Sequence, residues 1–147
     1  MKAIAIVSFT LACALLTVTL AAKGKTVKLV VSGGGLQQPI EISGKAVLFA
    51  NPWGDEFVHP WTAMAEPPQA VRRYEVSFYD ELEPGNVQMK YVVDYAPSHP
   101  GRGAIFLPGR GDARYRLNAT TILRDGRDGR WFPASDEWER VVGSRLK

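Results

Sequence analysis

Cysteine is almost missing from this chain: Cys13 is the sole one. It falls inside an apolar leader, where a plain hydrophobic position reads better than a lipid attachment site. No disulfide framework is therefore available, and a domain built from the rest must hold together by packing alone. Histidine is scarce as well. His59 and His99 both lie beside prolines in loop-like sequence, and no H-E-x-x-H spacing or comparable ligand pattern accompanies them. A zinc site from these two with Asp94 or Asp112 is weaker than two ordinary loop histidines. Charge of one sign is also lacking. Eighteen Lys and Arg stand against fifteen Asp and Glu, a net charge of +3, far from the clustered basic surface that nucleic-acid binding needs. No serine occurs in G-x-S-x-G, so no nucleophile announces itself. Gly33-Gly34-Gly35 is followed by Leu-Gln-Gln-Pro and another strand-like run, not by a Gly-Lys-Ser/Thr ending and a helix, so it reads as a turn rather than a phosphate loop. Asp125-Gly-Arg-Asp128-Gly lacks the oxygen-rich spacing of a calcium loop and carries arginines where the cation would sit. No cofactor, metal or catalytic residue is assigned on these grounds.

What is present begins with Met1-Lys2 and the uncharged, mostly apolar Ala3 to Leu20, closed by Thr19-Leu20-Ala21. This layout predicts a secretory signal over residues 1–21, cut after Ala21, with Ala22 the next choice. The rival reading is a retained membrane anchor. Residues 22–147 then form a single β-rich domain that is secreted or periplasmic, with no stable membrane span after cleavage.

Two alternating runs dominate that domain. Tyr74, Val76 and Phe78 alternate with Arg73, Glu75 and Ser77; Val87, Met89, Tyr91, Val93 and Tyr95 alternate with Gln88, Lys90, Val92 and Asp94. Period-two alternation predicts half-buried strands, and Pro84-Gly85-Asn86 predicts the turn of an antiparallel hairpin over Val71–Tyr95. Around it, Val27–Val31 and Ile40–Ser43 predict a smaller hairpin with Val27, Leu29 and Val31 inward. Ala104–Leu107 predicts a short strand, and Arg114–Thr120 another with Tyr115, Leu117 and Ala119 inward. Ser135 is a helix cap followed by Asp136 and Glu137, with Trp138, Val141 and Val142 on one helical face. The fold class is mainly β: a small antiparallel sheet or partly open barrel with a short C-terminal helix. Asn51–Gln69, rich in proline and aromatics, is long for a connection and is expected to fold over one end of the sheet.

The sites most suggestive of ligand binding are Trp53 and Trp61 in that loop and Arg110, Arg114 and Arg116. These arginines belong to a larger set with Arg102, Arg124, Arg127 and Arg130. Arginines meeting at one sheet end would attract anions, and tryptophans would stack on a sugar or aromatic group. A solvated face neutralised by Asp112, Asp125 and Asp128 is the plainer account. The residues favour a non-enzymatic binding or structural module of the cell envelope, its partner an envelope protein or a small ligand. The alternative is an enzyme acting on an anionic or sugar-type substrate, with Glu56 or Asp112 as acid or base and arginine clamps. A concave pocket holding a carboxylate and an arginine separates the two.

Pro-Gly-Arg-Gly at 108–111, Tyr-Arg-Leu-Asn at 115–118, Thr-Ile-Leu-Arg at 121–124, Gly-Arg-Trp-Phe-Pro-Ala-Ser at 129–135 and Arg-Tyr-Glu-Val-Ser-Phe-Tyr at 73–79 resemble a group of small uncharacterised bacterial exported proteins with no assigned activity. The resemblance implies export from a bacterium and supplies no site residue.

Overall fold

The computed structural model describes residues 24–52, 56–69, 72–119 and 127–147. The expected signal segment, Trp53, Asp55, Arg124 and Asp125 lie outside them. Among the described residues six antiparallel strands form one open sheet: β1 (Lys25–Gly33), β2 (Ile40–Ser43), β3 (Tyr74–Glu83), β4 (Asn86–Ala96), β5 (Ala104–Phe106) and β6 (Trp131–Pro133), in the order β2-β1-β3-β4-β5-β6. β2 and β6 are the two edges, so the sheet does not close into a barrel. Among the described residues two short α-helices accompany it, α1 (Tyr115–Ala119) and α2 (Asp136–Val141).

The central hairpin is β3–β4, turned at Pro84-Gly85 with Gly85 at φ 79°, a backbone that favours glycine. Its inner face carries Val76, Phe78, Tyr91, Val93 and Tyr95, all fully buried. The alternation does not continue to the turn. Phe78 faces Tyr91 but Tyr79 faces Met89, so Lys90 is an extra residue in β4. Such a bulge reverses which side chains point inward. Val87 and Met89, expected in the core, are instead 44% and 42% exposed. A second register shift between Thr26 and Lys28 in β1 buries Thr26 and leaves Val27 half-exposed.

α2 closes the inner face. The Ser135 side chain accepts a hydrogen bond from Trp138 N, capping the helix as its sequence predicts. Trp138 is fully buried with its ring centroid 5.7–6.4 Å from those of Tyr95, Phe78, Phe57 and Phe49. Part of the proline-rich segment lies along a sheet edge. Residues 57–64 run along the edge of β6: Val58 bridges Ala134, His59 N donates to Pro133 O, and Met64 N donates to Trp131 O. The segment thus covers an edge that would otherwise be open to pairing, and it sends Phe57 into the core.

The second face of the sheet is only partly wet. Within Arg114–Thr120, expected as a strand, Tyr115–Ala119 is helical instead. Asp112 Oδ1 accepts from Arg114 N at 2.8 Å, and Tyr115 N donates to Asp112 O. This local capture of the backbone starts a helical turn before an extended run can form. α1 places Asn118 against β4 at a point where β5 has already ended. The Asn118 amide accepts from Val92 N at 3.0 Å and donates to Val92 O at 2.6 Å. It stands in for the missing strand partner and lets Val92 and Ser77 be buried on this face. Replacing Asn118 with leucine is expected to destabilise the domain by roughly 1–2 kcal/mol, since two buried backbone groups lose their partner. Urea denaturation measures it; an unchanged midpoint would show that the clamp carries no weight.

Candidate functional site

The site grows from one carboxylate on α2. The buried Trp138 fixes the helix, and its neighbour Glu139 is thereby directed along the sheet toward the C-terminal end of β4. There Tyr95 Oη donates to Glu139 Oε1 at 2.9 Å, and Gly103 N donates to the same oxygen at 2.8 Å. Burial, with the Glu139 carboxylate beside it, raises the Tyr95 phenol well above its ordinary value. It therefore remains protonated and remains a donor.

Two glycines make room for this pair. A Cβ at Gly103 would stand 2.6 Å from Tyr95 Cε2 and 2.9 Å from Glu139 Oε1. A Cβ at Gly143 would stand 2.7 Å from Glu139 Oε2 and 2.9 Å from Tyr95 Oη. Neither position tolerates a side chain without moving the carboxylate or the phenol.

Glu139, Tyr95 and Gly143 line a cleft of about 550 Å³, within the range of small-molecule sites. Met64, Pro68, Pro97 and Leu146 supply apolar wall, and Arg72, His99, Arg102 and Lys147 bring basic groups to it. These cations are not equivalent. Arg102 is committed: Nη1 donates to His59 O at 2.9 Å, and Nη2 pairs with Asp136. Arg72 and Lys147 are exposed and have no ion-pair partner among the described residues. On Glu139, Oε1 holds two donors, while Oε2 has no hydrogen bond among the described residues. Oε2 is the oxygen left to accept from a ligand or to take a proton.

The described residues singled out for ligand binding, Trp61, Arg110, Arg114 and Arg116, lie elsewhere. Trp61 is half-buried, packed against Phe57 and Phe132 at 5.9 and 5.1 Å, with the Arg127 guanidinium 4.4 Å from its ring centroid. Arg110 is exposed, its guanidinium raised by hydrogen bonding to Tyr115 and by the charges of Tyr115 and Asp128. Arg116 is exposed on α1. Arg114 is held by Asp94, Asp112 and Glu75 on the second face of the sheet. None of these four lines the cleft. Of the two carboxylates considered for acid–base work, Glu56 is exposed and Asp112 is bound to Arg114. His59 and His99 are both exposed, and only His99 reaches the cleft. Among the described residues no group of three or more His, Cys, Asp or Glu converges as a metal site would, and no helix is long and apolar enough to cross a membrane.

Sequence reasoning missed Glu139, and a signal for it exists. A tyrosine at an inward strand position needs a partner for its hydroxyl, and Tyr95 ends such a strand. One further buried acid lies away from the cleft. Thr26 Oγ1 is 3.1 Å from Ala50 O and 2.8 Å from Asp80 Oδ1. One hydroxyl proton serves two acceptors there, and a proton on Asp80 would satisfy both. Burial raises the Asp80 carboxyl, against the Thr26 hydrogen bond and the charge of Lys90. No family model, curated protein or solved structure matches the chain.

Proposed function

We propose that the protein is an exported enzyme, secreted or periplasmic, that acts on a small anionic or sugar-type substrate in the cleft beside α2. Glu139 serves as the acid–base group and arginine as the anion clamp. The observation that carries the reading is the convergence of Glu139 with Arg72, an exposed arginine with no ion-pair partner among the described residues, in one cleft of about 550 Å³. A structural module needs neither a half-buried carboxylate with a free oxygen nor two glycines clearing space around it. The Tyr95 and Gly103 donors fix the carboxylate plane, so Oε2 meets a bound substrate in one orientation; positioned proton transfer of this kind contributes about 10²–10⁴-fold to a rate. The apolar leader supports the export part of the proposal.

The test uses Glu139→Gln. The glutamine carbonyl can still accept from Tyr95 and Gly103, so the fold is retained while the base is lost. Wild-type protein is incubated with phosphate esters, uronic-acid glycosides and carboxylic esters, and products are followed by NMR. Turnover of at least one anionic compound is expected, falling about 10²–10⁴-fold in the variant at unchanged melting temperature. Compounds that bind without any being converted would reduce the protein to a binding module, the reading its sequence favoured.

A further inference from the structure

The cleft is asymmetric, and the asymmetry selects a ligand. Its basic groups, Arg72, His99, Arg102 and Lys147, are all exposed, whereas Glu139 is half-buried. An anionic group seated at Glu139 would face a carboxylate, so the anion of a ligand belongs at the exposed, basic side. Arg72 is the clamp for it, because Arg102 is already tied to Asp136 and to the His59 carbonyl, and a guanidinium grips a carboxylate through two parallel hydrogen bonds. Oε2 of Glu139 asks for a donor. A neutral hydroxyl meets that need. An ammonium would enter a cleft whose lining carries more cationic than anionic side chains, and Tyr95 and Gly103 already answer the Glu139 charge. The same lining includes Met64, Pro68, Pro97 and Leu146, apolar surface that suits the C–H face of a carbon frame and gives nothing to a bare inorganic anion.

We infer that the cleft takes a hydroxylated organic acid of sugar-acid type, its carboxylate on Arg72 and a hydroxyl on Oε2 of Glu139. This rests on the cleft being the substrate site and does not require turnover.

Isothermal titration with the intact domain tests it. The probes are glucuronate, galacturonate and gluconate as hydroxy acids, glucose for hydroxyls without charge, hexanoate for charge without hydroxyls, 6-aminohexanoate for an ammonium, and inorganic phosphate. At least one hydroxy acid is expected to bind ten-fold or more tightly than glucose, hexanoate, 6-aminohexanoate and phosphate. Arg72→Ala, at an exposed position, should remove that ten-fold advantage over glucose and leave glucose itself unchanged. Glu139→Gln should weaken the hydroxy acid about ten-fold and leave hexanoate unchanged. Hexanoate, 6-aminohexanoate or phosphate binding as tightly as the best hydroxy acid overturns the hydroxy-acid assignment but leaves an anion site standing. Binding by none of the probes overturns the assignment and the reading of the cleft together. Hydroxy-acid binding that Arg72→Ala leaves intact overturns the placement of the carboxylate.

Discussion

Trp138→Ala is expected to lower the stability of the domain by about 3 kcal/mol, read as a shift of the urea midpoint at constant slope. The indole is fully buried at the meeting point of four aromatic rings: Phe49, Phe57, Phe78 and Tyr95. These rings come from separate parts of the chain, so the cavity left by truncation cannot close by moving one element. Truncation of a buried tryptophan costs about 3–5 kcal/mol. The lower end applies because Trp138 Nε1 is buried without a hydrogen-bond partner, and an unmatched buried donor costs about 1–3 kcal/mol that alanine no longer bears. Trp138→Phe separates the two contributions. It keeps a ring in the cluster and removes the unmatched donor, so a loss of only about 1 kcal/mol is expected. A phenylalanine variant as unstable as the alanine one would mean that the indole nitrogen is satisfied in solution. Since domains of this size are stable by about 5–15 kcal/mol, the alanine variant removes a large share. It also frees the helix that carries Glu139, and the Tyr95–Glu139 hydrogen bond should loosen with it.

The fold was legible where a local signal coincided with a tertiary one. Pro84-Gly85 set the hairpin, and inward Tyr74, Val76, Phe78, Tyr91, Val93 and Tyr95 obeyed the two-residue period. Ser135 capped α2 and Trp138 docked. The failures share a cause, which is that a pattern read residue by residue cannot see a register shift. The extra residue Lys90 sends Val87 and Met89 outward, and the shift between Thr26 and Lys28 brings Thr26 inward where Val27 was expected. β6 was missed because three residues, Trp131 to Pro133, show no period at all. The cleft was illegible for a different reason. Tyr95, Gly103, Glu139 and Gly143 are spread from residue 95 to residue 143, and only the docking of α2 beside the end of β4 brings them together. The arginine-rich loops drew attention through composition, which says nothing of whether a charge is already paired.

Arg114 shows what such pairing does, and its removal is the second large effect expected. Glu75 and Asp94 are direct cross-strand partners in β3 and β4, a like-charge pair that is destabilising by itself. Arg114 Nη1 lies 3.3 Å from Glu75 Oε2 and 2.5 Å from Asp94 Oδ1, and Nη2 lies 3.1 Å from Asp94 Oδ2 and 2.6 Å from Asp112 Oδ2. One guanidinium therefore offsets three carboxylates and ties the start of α1 to the sheet. Its hydrogen bonds hold the Asp112 carboxyl down to about 2. For a carboxyl depressed in this way, the stabilisation is complete above the unfolded value of about 3.9 and is lost as pH falls through about 2. Arg114→Ala reverses the sign. Three carboxylates left facing one another bind protons more readily than in the unfolded chain, so the variant gains on acidification relative to the wild type. At pH 7 the expected loss is about 2 kcal/mol. That is below the roughly 3–5 kcal/mol for breaking a fully buried pair, because the group keeps contact with solvent. At pH 2 the loss should shrink to less than half. Arg114→Lys should fall between wild type and alanine, since an ammonium cannot reproduce the planar fork. Denaturation midpoints at the two pH values decide the matter. A deficit that is the same at both, or larger in acid, would show that Arg114 acts through packing and not through its charge. Arg114→Ala combined with Asn118→Leu should cost less than the two changes added, because both act through the seating of α1 on β4.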